Sequence, residues 1–265
     1  MILIDDPDDP RVAAFRRSER ELSNRQQRRD DAGDGLFMAE GDLVVQRALD
    51  AGCRPVSALV DADRPPALAE RLARVVEVYA GGPAMRAAVT KLGAPLPVVA
   101  LFERPPRTSP DELAARSTRL VLVEAVDNPA NVGSIVRNAS ALGWQGLILD
   151  DTSVDPLARR ALRVSMGHAL RLPHARTDDL AGIATSLRDD GWVVCALTPA
   201  DDAVDLDDVD VADRVALVVG SERSGLSAAL LAAATLRVRI PMQGRVDSLN
   251  AAAATAVACW HLRQR

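Results

Sequence analysis

Lysine is nearly missing. Lys91 is the only one in 265 residues, so arginine supplies 31 of the 32 basic side chains. With abundant Ala, Val and Asp, this matches the codon bias of a GC-rich genome, and arginine richness alone is no sign of phosphate binding. The net charge of −5 excludes a general pull toward nucleic acid, so any RNA site must be a local patch. Aromatics are scarce: three Trp, three Phe and one Tyr. That excludes a protein binding single strands mainly by stacking bases on exposed rings. The three cysteines, Cys53, Cys195 and Cys259, are far apart and form no C-x-x-C pair. They read as free thiols in a reducing cytoplasm. The three histidines, His168, His174 and His261, lack metal-ligand spacing, so no metal is expected. No apolar run reaches membrane-spanning length, and the acidic start MILIDDPDDP is unlike a signal peptide. A cytoplasmic protein without a membrane partner is expected.

What is present is a chain that is 48% hydrophobic, enough for a sizeable core. Residues 1–104 alternate strand-like and helix-like segments and read as a small α/β domain with an Arg-rich N-terminal arm. The stretch ERPPRTSPDE, Glu103 to Glu112, is polar and proline-rich, so 105–112 is expected to be a linker. Residues 113–265 alternate more regularly. Strands are expected at Arg119–Glu124, Gly146–Leu149, Trp192–Leu197, Val215–Val219 and Leu236–Ile240, with helices between them. This pattern predicts a mostly parallel sheet with helices on both faces. Ligands of such sheets sit beyond the carboxyl ends of the strands. Asp201 to Asp213 carries seven carboxylates but lacks the glycine and closing glutamate of a calcium loop, and reads as a solvated surface loop.

Three turns follow strands and open helices. They contain NVGSIVRNA from Asn131, GSERSGL from Gly220, and IPMQGRVDSLN from Ile240. None matches the dinucleotide fingerprint or the P-loop, which removes the usual support for a nucleotide-dependent oxidoreductase. Singly, each has a plain structural reading: Asn131 as a helix cap, Asp247 or Ser248 as the cap of the last helix, Glu222 as a solvated turn residue, and Arg137 as a surface residue.

Together, in this order, the turns resemble the three motifs of the SpoU/TrmH family of RNA ribose methyltransferases. The first family pattern, N-x-G-x-x-x-R-x-A, is met by Asn131, Gly133, Arg137 and Ala139. The second, G-[SA]-E-x-x-G-L, is met by Gly220, Ser221, Glu222, Gly225 and Leu226. The third, I-P-M followed by S-L-N, is met by Ile240-Pro241-Met242 and Ser248-Leu249-Asn250. The resemblance covers roughly Arg119 to Arg265. FMAEG, Phe37 to Gly41, is similar to the start of the small substrate-binding domain often fused ahead of it. Arg223 departs from the pattern, standing where the family often has glycine.

The resemblance implies a deep trefoil knot in the second domain, a homodimer formed through it, and S-adenosylmethionine as cofactor. By position, cofactor contacts fall on Thr198, Gly220, Ile240, Met242 and Leu249. Catalytic roles fall on Arg137, with Asn131, Glu222, Ser248 and Asn250 orienting it and the ribose. RNA contacts fall on Arg159, Arg163 and Ser165, and a second Arg patch in the N-terminal arm includes Arg25 and Arg28. The implied reaction is methyl transfer to a ribose 2′-hydroxyl of RNA, ribosomal RNA ahead of tRNA. A catalytically silent RNA-binding or ribosome-assembly protein of the same fold is the alternative.

Overall fold

The computed structural model describes residues 1–23, 35–91, 93–243 and 248–263. Arg25, Arg28 and Asp247 lie outside the described residues. The chain divides into two compact units: Met1–Pro106 with Leu157–Arg171, and Arg107–Pro156 with Leu172–Arg265.

The first unit contains strands β1 (Ile2–Leu3), β2 (Leu36–Glu40), β3 (Pro55–Asp61), β4 (Glu77–Gly81) and β5 (Val98–Glu103). Its helices are α1 (Glu19–Ser23), α2 (Asp42–Asp50), α3 (Leu68–Ala73) and α4 (Pro83–Thr90). The sheet order is β1-β4-β3-β5-β2, with β5 antiparallel to both β3 and β2. One face packs on Val12, Phe15, Met85 and Val89. In β2, Phe37 stacks on Phe102 with ring centroids 5.4 Å apart. The next residue after β2, Gly41, turns the chain into α2 with φ +84°, a conformation that favours glycine.

The second unit begins with α5 (Pro110–Ala115), where a helix replaces the end of the expected linker. Ser109 and Glu112 form a reciprocal capping box with proline at the first helical turn, which overrides the loop-like composition. There follow β6 (Arg119–Val123), α6 (Pro129–Ala141) and β7 (Gly146–Asp150). The next helix, α7 (Arg159–Val164), lies within the segment that belongs to the first unit. This corrects the expected boundary, since residues 157–171 do not stay with 113–265. The physical reason is Glu40, whose side chain is 1% exposed and ion-paired to both Arg159 and Arg163. A buried carboxylate needs such partners.

The second unit continues with β8 (His174–Thr177), α8 (Leu180–Asp189), β9 (Val193–Leu197), β10 (Val204–Asp205), β11 (Val215–Val219), α9 (Ala228–Ala233), β12 (Leu236–Arg239) and α10 (Ala251–His261). Among the described residues the sheet has seven strands in the order β10-β12-β9-β11-β6-β7-β8, every pair parallel. Its central strands are buried end to end, as parallel strands covered on both sides must be. Leu120, Leu122 and Val218 face α5, α8 and α9. The alternate residues Val121, Val123 and Leu217 point the other way, where α6 and α10 pack on each other. The acidic loop is not merely solvated. It supplies β10, and its Asp202 and Asp205 pair with Arg237 and Arg239 of β12.

Arg119 anchors the C-terminal end of α10. It is buried, and its guanidinium donates to the carbonyls of Leu262 (2.9 Å), Asp213 (2.6 Å) and Ala212 (2.8 Å). Trp144 Nε1 donates to the Cys259 carbonyl at 3.1 Å.

Candidate active site

β11 ends at Val219 and the chain turns sharply through Gly220 to Gly225. A Cβ on Gly220 would lie 2.6 Å from the Gly225 carbonyl oxygen. Gly225 has φ +65°, and its N–H donates to the Ser221 carbonyl at 2.9 Å. The turn leaves through Ser227, whose N–H donates to Glu124 Oε2 at 2.7 Å and whose side chain caps α9. The loop is thus tied down on both sides, with Glu222 at its tip.

The first motif sits at the start of α6. Asn128, not Asn131, caps that helix, with Pro129 at its first position. Asn131 is one turn in and buried. The third motif opens α10, and its cap is Asn250, not Ser248. Asn250 Oδ1 accepts from the N–H groups of Ala252 (3.0 Å) and Ala253 (3.3 Å). The amide nitrogen of the same side chain donates to Asn131 Oδ1 at 3.0 Å and to Glu222 Oε1. Glu222 Oε1 also accepts from Asn131 Nδ2 (3.0 Å) and from the Ala251 N–H (3.2 Å). Three segments 28 to 119 residues apart therefore meet at one carboxylate oxygen. Its Oε2 takes no hydrogen bond from the described residues.

Beside this cluster lies a cavity of about 720 Å³ at the carboxyl ends of β9, β11 and β12. All five expected cofactor residues, Thr198, Gly220, Ile240, Met242 and Leu249, line it, as do Glu222 and Ser248. The volume is that of a small-molecule site. Leu197, Val219, Leu226 and Val238 add an apolar lining that sequence reading missed. As ordinary strand or turn residues they carry no motif, and only their place at strand ends could have marked them. The narrow Gly220 turn brings backbone close to this space, which suits recognition by main-chain groups. A second cavity of about 80 Å³ lies on the other side of Glu222, lined by Asp127, Asn128, Asn131, Ser221 and Arg223.

Arg137 is not brought into the cluster. It is exposed on α6 and makes no hydrogen bond or ion pair with the described residues. Six residues beyond Asn131, it stands about 9 Å along the helix and roughly 120° around it. The expected RNA contacts Arg159, Arg163 and Ser165 all lie in the 157–171 segment of the first unit. Arg159 is engaged: its guanidinium meets Glu40 Oε1 (Nε at 2.6 Å) and the Thr90 carbonyl, and its N–H meets Glu19. Ser165 is buried and donates to the Leu162 carbonyl at 3.0 Å. Arg163 gives one donor to Glu40 Oε2 at 3.0 Å and is half exposed, leaving its other donors toward solvent.

Among the described residues no group of His, Cys, Asp or Glu is placed to hold a metal, and no helix is long and apolar enough to cross a membrane. Burial pushes the Cys195 thiol up to about 12 and the Cys259 thiol higher still, so neither is a nucleophile at neutral pH.

Residues 118–260 match the model of the SpoU rRNA methylase family. An uncharacterised tRNA/rRNA methyltransferase of Mycobacterium tuberculosis is 39% identical, over 96% of this chain and 88% of its own length. The 23S rRNA (guanosine(2553)-2′-O)-methyltransferase RlmP of Bacillus subtilis is 29% identical, over 86% of this chain and 88% of its own. Among solved structures, an AdoMet-bound rRNA methyltransferase from Sinorhizobium meliloti superposes with a TM-score of 0.82 at 28% identity, covering 98% of this chain and 96% of that one.

Proposed function

The chain belongs to the SpoU rRNA methylase family, and from that premise we propose that it methylates a ribose 2′-hydroxyl of RNA, ribosomal RNA rather than tRNA. The observation that carries this reading is the meeting of Asn131, Glu222 and Asn250 at the wall of the large cavity. A turn residue, an in-helix asparagine and a helix cap serving structure alone would have no need to converge there.

S-adenosylmethionine is the cofactor, and when bound it supplies an electrophilic methyl group on a sulfonium. Thr198, Gly220, Ile240, Met242 and Leu249 would hold it. The cavity fits it in volume and in combining an apolar lining with a backbone-rich turn. The protein's task is then to present a weak nucleophile in line and to manage its proton. Positioning alone can supply much of such a barrier. Asn131 and Asn250 fix Glu222 through one oxygen, so its other oxygen can orient the ribose hydroxyl or accept its proton. Ser248, on the cavity wall, adds a further polar contact. Arg137 offers a planar guanidinium fork, matched to phosphate oxygens. Its role is to grip the target phosphate and stabilise the developing alkoxide.

A trefoil knot is supported by the chain path after β12. That strand lies on the β9 edge, with β11 between β9 and β6, yet the following helix α10 packs on α6. On either side of the undescribed residues, Ile240 to Met242 and Ser248 to Leu249 line the same cavity as the 220–225 turn. A homodimer through this unit is supported by α10, which leaves Trp260 58% and Val257 42% exposed. Within the first unit, Arg163 is the RNA contact that remains, while Arg159 and Ser165 shape the segment presenting it.

The test is methyl incorporation from labelled S-adenosylmethionine into RNA from cells lacking the gene, with 2′-O-methyl mapping. A new 2′-O-methyl mark on ribosomal RNA is expected. Cofactor binding without transfer to any RNA would instead favour the silent RNA-binding alternative.

A further inference from the structure

Arg223 is left without a task by the reaction just described, and its surroundings give it one. It lines both cavities, at the tip of the turn that carries Glu222. Its backbone is held, because its N–H donates to Ser221 Oγ at 3.2 Å. Its side chain is not held: it is 86% exposed, and its ion pair with Asp127, itself largely exposed, spans 4.0 Å. Such an exposed pair contributes little and exchanges easily for a better anion.

The charges around it define that anion. Asp127 and Glu222 both line the small cavity, and Arg223 is the one cation among its described lining residues. A polyanion approaching this site meets two carboxylates and needs a cation to offset them. The other cation lining the large cavity, Arg239, is bound to Asp205. The small cavity, about 80 Å³, has roughly the volume of two or three waters, room for a phosphate-sized group. A guanidinium fork is matched to phosphate oxygens.

Resting on the RNA-methylation reading of the same site, we infer that Arg223 binds a backbone phosphate of the substrate RNA beside the target ribose, and that Asp127 holds it until RNA arrives. The two residues then act in opposite directions. Removing Arg223 weakens RNA binding, whereas neutralising Asp127 strengthens it by freeing the guanidinium.

The experiment uses total RNA from cells lacking the gene, measuring methyl transfer kinetics, filter binding across a KCl series, and S-adenosylmethionine affinity by calorimetry. R223A is expected to raise KM for RNA about tenfold, the weight of one charge-assisted hydrogen bond, with kcat and cofactor affinity unchanged. Its log-affinity against log-salt slope should be shallower by about 0.7–0.9, one phosphate contact. R223K should restore the slope but not all of the affinity, and D127N should tighten RNA binding. An unchanged KM and slope in R223A overturns the inference. So does weakened S-adenosylmethionine binding, which would assign Arg223 to the cofactor's carboxylate. Loss of RNA affinity in D127N overturns it too, since the pair would then be structural. Wild-type protein that methylates no RNA defeats the underlying reading and this inference together. Wild-type methylation with an indifferent R223A defeats this inference alone.

Discussion

Asn250 carries two duties with one amide group. Its oxygen caps α10 and its nitrogen fixes Glu222 and Asn131. Capping and active-site readings of such a residue are usually set against each other, yet here they are the two ends of one side chain. Because Glu222 is fixed by its neighbours and Arg137 is not, the two should respond differently to mutation. Arg137→Ala should lower methyl transfer by about 10²–10³-fold, while S-adenosylmethionine affinity by calorimetry stays within twofold. Wild-type turnover in that variant would remove Arg137 from the mechanism. Gly220→Ala should do the reverse at the cofactor: the added methyl meets the Gly225 backbone at 2.6 Å, so the turn must open. The measurable outcome is a loss of S-adenosylmethionine binding with the overall fold, by circular dichroism, retained.

Among the elements, α7 is the one whose sequence context misleads. It lies between β7 and β8 along the chain, so residue order assigns it to the second unit. Its contacts assign it to the first, through Arg159 and Arg163 on Glu40. No local pattern announces this, because a buried ion pair between residues 119 apart is invisible to periodicity. The FMAEG stretch was the available signal. Glu40 within it is charged, lies at the end of an apolar strand, and needs a cation from somewhere. Glu40→Gln should leave Arg159 without its counter-charge and lower stability by about 3–5 kcal/mol, read as a reduced urea midpoint. An unchanged midpoint would mean that water already satisfies Arg159. The regular strands β6, β7, β9 and β11 were legible as apolar runs bounded by turns, and β12 as an alternating one. β8 and β10 were not. HART is polar, and Val204–Asp205 is two residues inside an acidic loop, so each is a strand only because an edge was available to pair with. The motif residues were legible as a set, whereas the apolar cavity wall exists only once three strand ends come together.

At the scale of the whole molecule, the exposed Trp260 is the feature that asks for company. Its ring also carries the Arg263 guanidinium at 3.3 Å, a cover that one arginine supplies only in part. If the second unit dimerises through α10, Trp260→Glu should give monomers in analytical ultracentrifugation and reduce transfer along with assembly. A dimeric Trp260→Glu protein would place the interface elsewhere. The net charge of −5 also takes on a sharper meaning. An acidic protein that handles RNA must confine its cations, and here many of them are already neutralised in pairs with Asp and Glu.

The discontinuous first unit also sets a timetable for the nascent chain. Its sheet strands are all made by Glu103, but the helix that neutralises Glu40 is not complete until Val164 has been added, nor its segment until Arg171. At roughly 5–20 residues per second of synthesis, that is a wait of several seconds. During it, the first strands and helices are assembled around a carboxylate with no counter-ion, while β6 and β7 are already emerging. The ribosome thus extrudes an incomplete first unit alongside the opening strands of the second. Both are closed only by segments from later in the chain, the first by 157–171 and the second by α10.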